Sequence, residues 1–148
     1  MSSFDQAAAN FLREHDLAVL STSNADGELH GAVIYYLPDQ DSEEIYILSR
    51  TESTKANDIR AHRKVALTIY DAPAMETLQI SGDGDIMDDP EQLDRVYQQL
   101  IHLRPYQGEM LLPPVTALQQ GDYILIRVVP VSAHHSSYKE IVRPKPAQ

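Results

Sequence analysis

Apolar residues at helical spacing open the chain and predict an amphipathic helix over 3–15. Its apolar face carries Phe4, Ala8, Phe11, Leu12 and His15. Ser3 is followed three residues later by Gln6, which is the pattern of a capping box. We therefore expect this helix to begin at Ser3.

Six short runs rich in β-branched and aromatic residues predict strands. They span 17–22, 31–37, 44–49, 64–70, 77–87 and 123–133. Asp26-Gly27 is a hairpin-turn signal between the first two runs. The turns that join the first three strands are too short for a parallel crossover, so we expect antiparallel pairing. Gly82 and Gly84 indicate a bulge or a tight bend in the fifth strand, and Pro130 indicates an edge or a bulge in the last one.

Two further helices interrupt the strands. One is predicted over 53–62. The other follows Asp89, which can cap it, with Pro90 at the first helical position and Gln92 completing a capping box. Its apolar face carries Leu93, Val96, Tyr97, Leu100 and Leu103. An irregular connection, with a short helix near 114–119, then leads to the last strand.

The order of these elements predicts a mainly β protein with peripheral helices, built on a six-stranded antiparallel barrel. A length of 148 residues favours one domain over 1–148. The ends, 1–3 and 139–148, are expected to be flexible.

Composition and charge narrow the possible functions. The chain has no Cys, so disulfides and thiolate chemistry are excluded. Its net charge of −10 argues against general binding of nucleic acid. The N-terminus does not resemble a secretory signal and no apolar run could span a membrane, so we expect a soluble, cytoplasmic protein. His134 and His135 are adjacent on a strand and point to opposite faces, and no metal-binding motif accompanies them, so we expect no metal site.

A local basic segment stands out against this acidic background. Five basic and two acidic residues fall between 50 and 64, a net charge of +3. A helix that starts near Ser53 exposes backbone N–H groups at the positive end of its dipole. Ser53 and Thr54 add hydroxyl groups, Lys55 adds a point charge, and Arg50 adds a bidentate donor. Together these groups fit a phosphate monoester; the alternative is a solvated helix with ordinary surface cations.

The order of the segments resembles the FMN-binding split-barrel family, the pyridoxamine 5′-phosphate oxidase-like flavoproteins. The resemblance covers about residues 10–103. It is carried by HGAVIYY at 30–36, LSR at 48–50, STKANDIRAHRKVAL at 53–67 and LQISGDGDIMDD at 78–89. The four motifs in this order indicate the family more specifically than any one of them alone.

The resemblance implies an FMN site divided between two subunits. The phosphate would be held by Arg50, Ser53, Thr54 and Lys55. The isoalloxazine would lie along the second strand, at Val33, Ile34 and Tyr35, with Ser49 beside it. Gln79 would reach the flavin from the other subunit of a homodimer. The apolar run GAVIYYL also favours a homodimer, because one face fills the barrel and the other needs a cover.

The function implied is that of a flavin-dependent oxidoreductase acting on a small substrate or electron donor, with the chemistry carried by FMN. The C-terminal sequence SYKEIVRPKPAQ lacks the Arg-Leu-x-Pro segment of true pyridoxamine phosphate oxidases, so that activity is not expected. FAD, a deazaflavin or haem are alternative cofactors. Arg104, Tyr106 and Glu109 are candidates to line a substrate mouth within the 104–120 loop. A non-enzymatic flavin- or haem-binding protein, or a member that has lost its cofactor, remains open, and no residue is identified as catalytic.

Overall fold

The structure is a computed structural model, and it describes residues 3–103 and 123–139. Within these two ranges, three helices and seven strands follow one another: α1 Gln6–Glu14, β1 Leu17–Ser23, β2 Leu29–Tyr35, β3 Leu37–Pro38, β4 Ile45–Arg50, α2 Thr54–Ala61, β5 Lys64–Asp71, β6 Glu76–Met87, α3 Pro90–Leu103 and β7 Tyr123–Ser137. The short helix expected near 114–119, and Arg104, Tyr106 and Glu109, lie outside the described residues.

One antiparallel sheet holds all seven of these strands in the order β2-β1-β5-β6-β7-β4-β3. Its two edge strands, β2 and β3, are separated in the chain by Tyr36 alone. The two edges of the sheet must therefore meet at Tyr36, so the sheet curls into a barrel. The expected fold class, a mainly β split barrel with peripheral helices, is confirmed.

The predicted bounds of the second strand, 31–37, are wrong. The structure has two strands there, β2 and the short β3, which makes seven strands in place of the predicted six. Pairing with β1 begins at Leu29 and ends at Tyr35, and Leu37 then pairs with Tyr46 of β4. Tyr36 is fully buried between the two strands, and its hydroxyl donates to the carbonyl oxygen of Leu12 at 2.7 Å. The continuous apolar run 31–37 is therefore divided at the buried Tyr36 into two strands that pair with different neighbours.

The predicted start of the first helix is also wrong. Asp5 caps α1, accepting from the backbone N–H of Ala8 at 2.8 Å. Ser3 lies before the helix, where its backbone N–H donates to the Glu43 carboxylate and its hydroxyl donates to the Pro130 carbonyl. Ser and Asp are comparable N-cap residues, and here the Asp5 carboxylate takes that role while Ser3 bonds to other parts of the chain.

The bulge predicted from glycine and proline is confirmed. The register of β6 and β7 shifts between Ser81 and Gly82, and Gly82 pairs with Pro130. A Cβ on Gly82 would lie 2.5 Å from the carbonyl oxygen of Val129, so only glycine allows the two strands to approach this closely. The pairing of β7 with β4 ends at Val128, so Pro130 lies both at the bulge with β6 and where β7 has no second neighbouring strand among the described residues.

The helices cover different parts of the sheet. α1 and α2 pack on the large core inside the barrel, to which they contribute Phe11, Leu12, Ala56 and Ile59. α3, which Asp89 caps as expected, packs on a smaller cluster that includes Leu37, Tyr46, Val96 and Leu125. No helix within the described ranges is long and apolar enough to cross a bilayer.

The outer face of β1 and β2 carries exposed apolar residues in the described part of the chain. Leu17, Val19, Leu29 and Val33 are exposed there, Leu29 and Val33 by 82% and 62%. Alternate residues of β1 face the core, and the residues between them face outward. This open face bears on where a second copy of the chain would pack.

Candidate functional site

The predicted phosphate-binding residues meet where β4 ends and α2 begins. Ser53 is the N-cap of α2, and its hydroxyl oxygen accepts from the backbone N–H of Ala56 at 3.1 Å. Asn57 donates its backbone N–H to the Ser53 carbonyl at 3.0 Å. The N–H groups of Thr54 and Lys55 are left without a helical acceptor, which is the arrangement that attracts an anion.

Ser49 joins the strand to this cap. Its hydroxyl donates to the Arg50 carbonyl at 3.0 Å, and its oxygen lies 2.6 Å from the Ser53 oxygen. Either hydroxyl can be the donor of this contact, so at least one of the two protons is used within the protein. The contact joins the end of β4 to the N-cap of α2.

Lys55 is the cation with the most unusual surroundings at this site. It is half-buried, and burial lowers the pKa of its ammonium group. No carboxylate within residues 3–103 and 123–139 forms an ion pair with it. A partly desolvated charge without a counterion is costly, and a bound anion would relieve that cost.

Arg50 and Thr54 complete the positive end of the site. Both side chains are exposed, Arg50 at the last position of β4 and Thr54 at the first position of α2. The site therefore offers one half-buried ammonium, one exposed guanidinium, one hydroxyl and two backbone N–H groups. This donor set matches the oxygens of a phosphate monoester.

The residues predicted to lie along a flavin ring divide between the two faces of β2. Val33 points outward, whereas the Ile34 side chain is buried in the barrel at 3% exposure. Tyr35 is half-buried on the same outward face as Val33. Ile34 can therefore contact a ligand on the outer face only through its backbone.

Gln79 lies on the same outer face, but at a distance. Val33 pairs with Val19, Val19 with Thr68, and Thr68 with Gln79. Three strand spacings of about 4.8 Å separate Val33 from Gln79, or about 14 Å. Gln79 pairs in turn with His134, and both side chains are exposed. His134 was not among the predicted site residues. The sequence had shown only that His134 and His135 point to opposite faces of the strand.

A buried polar cluster beneath α2 escaped the sequence analysis. The Asp58 carboxylate, of which only 5% is exposed, accepts from the Thr22 hydroxyl at 2.7 Å and lies 2.6 Å from Nδ1 of His30. Thr22 and His30 are paired across β1 and β2. The sequence analysis gave His30 no role beyond its place in the HGAVIYY motif. The available signal was Asp58, an acidic residue between the buried positions Ala56 and Ile59 of α2.

Two grooves of the described surface lie elsewhere. One, of about 210 Å³, runs between α1 and the segment that joins β3 to β4; another, of about 510 Å³, runs between that segment and α3. Neither is lined by Ser53, Thr54 or Lys55. Neither of these two grooves therefore contains the start of α2.

Solved structures with this fold come from several bacteria. A conserved hypothetical protein from Mycobacterium tuberculosis superposes with a TM-score of 0.75 at 20% identity, covering 98% of this chain and 92% of that one. A pyridoxamine 5′-phosphate oxidase-related, FMN-binding protein from Nostoc punctiforme gives a TM-score of 0.66 at 17% identity, over 94% and 87% of the two chains. HutZ, the haem storage protein from Vibrio cholerae, gives 0.67 at 15% identity, over 92% and 95%. At these identities the likeness shows the fold alone.

A comparison with curated proteins finds no match. The family model for pyridoxamine 5′-phosphate oxidase, in contrast, matches residues 4–120, which is most of the chain and includes β2, the start of α2 and β6. The motifs that carried the resemblance in sequence are the elements that form the curled sheet and its capped α2 helix. The chain therefore belongs to the pyridoxamine 5′-phosphate oxidase-like family of split-barrel proteins.

Proposed function

We propose that this protein binds FMN, with the flavin phosphate at the N-terminus of α2. The observation that carries the proposal is Lys55, a half-buried ammonium group with no ion-pair partner in the described chain, beside the Ser53-capped helix start. A flavin phosphate of charge about −2 would supply the missing counterion. The basic segment 50–64 of this otherwise acidic protein would then bind one small anion, the flavin phosphate.

The residues present fit the two ends of FMN differently. The phosphate end finds charged donors, namely Lys55 and Arg50, and free backbone N–H groups. The ring end finds the outer face of β2, where Val33 is apolar and Tyr35 is half-buried. This division favours a phosphorylated flavin over free riboflavin, because the charged donors lie at the phosphate end.

A second copy of the chain would complete the site. The outer face of the sheet from β2 to β7 combines apolar residues on β1 and β2 with mostly polar residues on β5, β6 and β7. Its paired positions include Leu17, Val19, Ser21, Gly31, Val33, Tyr35, Ala66, Thr68, Tyr70, Thr77, Gln79, Ser81, Ser132, His134 and Ser136. The charged residues at outward positions of these strands form ion pairs, Lys64 with Asp83 at 3.2 Å and Arg127 with Asp85 at 2.8 Å. The face therefore carries little net charge, although the chain carries −10, and two such acidic chains could meet there without strong repulsion.

In such a homodimer, Gln79 of one subunit would face the flavin held by the other. The apolar positions Leu17, Val19 and Val33 would be covered by the same surface of the second copy. The protein would contribute binding, orientation and exclusion of water, and FMN would supply the hydride or electron transfer. We therefore propose a flavin-dependent oxidoreductase and leave its substrate open.

A haem-binding role is the second candidate. It is favoured by the exposed imidazole of His134 beside Gln79, on the face where a planar ligand would lie, and by the likeness in fold to HutZ. A neutral imidazole is a common axial ligand of haem iron.

The visible spectrum of the protein as purified, followed by titration with FMN, riboflavin and haemin, tests these two proposals. Flavin absorption, or saturable binding of FMN that is tighter than that of riboflavin, would support the first. A Soret band with no affinity for FMN would support the second and contradict the first. Reduction of the bound flavin by NADH or NADPH would then support an enzyme over a carrier.

A further inference from the structure

Lys55 and Asp58 have the spacing of an ion pair on α2 and yet do not form one. Residues three apart on a helix face each other, with about 5–6 Å between their Cβ atoms, and opposite charges at this spacing commonly pair. No contact within 4 Å joins the two side chains. The Asp58 carboxylate instead turns into the protein, where 5% of it remains exposed.

Two groups from the neighbouring strands hold the Asp58 carboxylate in that position. Thr22 of β1 donates its hydroxyl to Oδ2 at 2.7 Å, and His30 of β2 places Nδ1 2.6 Å from the same oxygen. A buried carboxylate needs such partners, because burying a charge without them costs several kcal/mol. The His30 imidazole satisfies this need and is itself partly exposed, by 36% of its side chain.

We propose that His30, together with Thr22, positions the Asp58 carboxylate away from Lys55 and so keeps the Lys55 ammonium available to an anion. His30 is in this sense a positioning residue that acts through Asp58. The proposal rests on the proposed role of Lys55 in holding the flavin phosphate. It also explains why an acidic residue is tolerated one turn from an anion site.

A simple tether would behave differently. If the cluster only fastened α2 to the strands, His30→Gln and Asp58→Asn would each break the tether and harm binding alike. If His30 restrains Asp58, the two substitutions have opposite consequences. Without His30, the Asp58 carboxylate competes with the bound anion for Lys55. Without the Asp58 carboxylate there is no competitor, so the loss of His30 no longer affects the anion.

The experiment measures the affinities of FMN and riboflavin for the wild-type protein, His30→Gln, Asp58→Asn and the double variant. We expect His30→Gln to weaken FMN binding about five- to tenfold, since one charge-assisted contact is lost to competition. Riboflavin binding should stay within about twofold of wild type, the scatter of distant sites. Asp58→Asn alone should leave FMN binding unchanged or tighter, and the double variant should recover the wild-type affinity.

The pKa of Lys55, followed by NMR of lysine-labelled protein without flavin, is a second readout. It should rise in His30→Gln, because Asp58 then pairs with the ammonium, and should not rise in the double variant. This measurement stands even if the protein binds no flavin, so failure of the proposed function can be told apart from failure of the inference.

Three results would overturn the inference. One is an equal loss of FMN affinity in His30→Gln and Asp58→Asn. Another is a double variant that binds FMN no better than His30→Gln. The third is a Lys55 pKa that does not change when His30 is replaced. If Asp58→Asn does not fold, the His30→Gln variant, changed at a partly exposed side chain, and its Lys55 pKa still decide the matter.

Discussion

The hydroxyl oxygens of Ser49 and Ser53 lie 2.6 Å apart, so the end of strand β4 is bonded to the N-cap of helix α2. Through this bond the position of Lys55, two residues into the helix, depends on a buried residue of the barrel wall. The proposed anion site is therefore built on a strand end and a helix start that support each other.

Removing the cap should loosen this end of α2. We expect Ser53→Ala to lower the free energy of unfolding by about 1 kcal/mol, the usual cost of losing a serine N-cap. Ser53→Thr keeps a hydroxyl at the cap and should lose less. Urea denaturation of the three proteins measures the difference, and equal stabilities of Ser53→Ala and wild type would show that the cap is not needed.

The close approach of β6 and β7 at Gly82 should tolerate no side chain. In Gly82→Ala the new Cβ would meet the Val129 carbonyl oxygen at 2.5 Å, and backbone atoms cannot move aside easily. We expect a loss of at least about 2 kcal/mol of stability, within the range for overpacking. Gly31→Ala is the matched control, because its nearest neighbour, Val19 Cγ1, would lie at 3.5 Å. Thermal unfolding of both variants should show a large shift for Gly82→Ala and almost none for Gly31→Ala.

The pair His15–Asp71 should make stability depend on pH. Burial on its own would lower the pKa of His15, but hydrogen bonds to the Phe11 carbonyl and to Asp71, which lies 2.9 Å from Nε2, raise it overall. The same hydrogen bond from His15, together with the Ala74 N–H, lowers the pKa of Asp71. The histidine contribution is full below its unfolded pKa of about 6.5 and is lost as pH rises through the folded value. The aspartate contribution is full above about 3.9 and is lost as pH falls through its own lowered value.

The pair should therefore stabilise the protein most between about pH 4 and 6.5. We expect the difference in melting temperature between wild type and His15→Gln to be largest near about pH 5.5 and to shrink towards about pH 8.5. In an Asp71→Asn background this shrinkage should be much smaller, because the carboxylate that favours the charged imidazole is gone. A difference that grows with pH would show that the sign of the linkage is wrong.

A charge on the open face of β2 should prevent the proposed dimer. Val33 is 62% exposed in the single chain and lies among uncharged neighbours, so Val33→Asp would place two carboxylates against each other across a two-fold axis. We expect light scattering to show a mass near twice 16.6 kDa for wild type and near 16.6 kDa for Val33→Asp. Gln98→Asp, an exposed position of α3 away from this face, should remain a dimer. A wild-type protein that is monomeric at micromolar concentration would remove the second copy from the site.

The sequence was sufficient for the features that depend on local chemistry. The helix start near Ser53, the Asp89 cap and an irregularity at Gly82 and Pro130 were predicted, because turns and caps admit few residue types. The break at Tyr36 was missed because the residues on both sides of it are equally apolar and β-forming. The Asp58 cluster was missed for a different reason: Thr22, His30 and Asp58 come from three elements, and only the barrel brings them together.

Titration of the flavin-free protein with FMN decides whether Lys55 holds a phosphate. We expect Lys55→Ala to weaken FMN binding by about 1.5–3 kcal/mol, or roughly ten- to a hundredfold, the range for charge-assisted hydrogen bonds. Lys64→Ala removes an exposed lysine that already pairs with Asp83 at 3.2 Å, and it should bind FMN like wild type. Riboflavin, which lacks the phosphate, should bind wild type and Lys55→Ala equally. Equal FMN affinities of Lys55→Ala and wild type, followed by flavin fluorescence, would contradict a phosphate site at the start of α2.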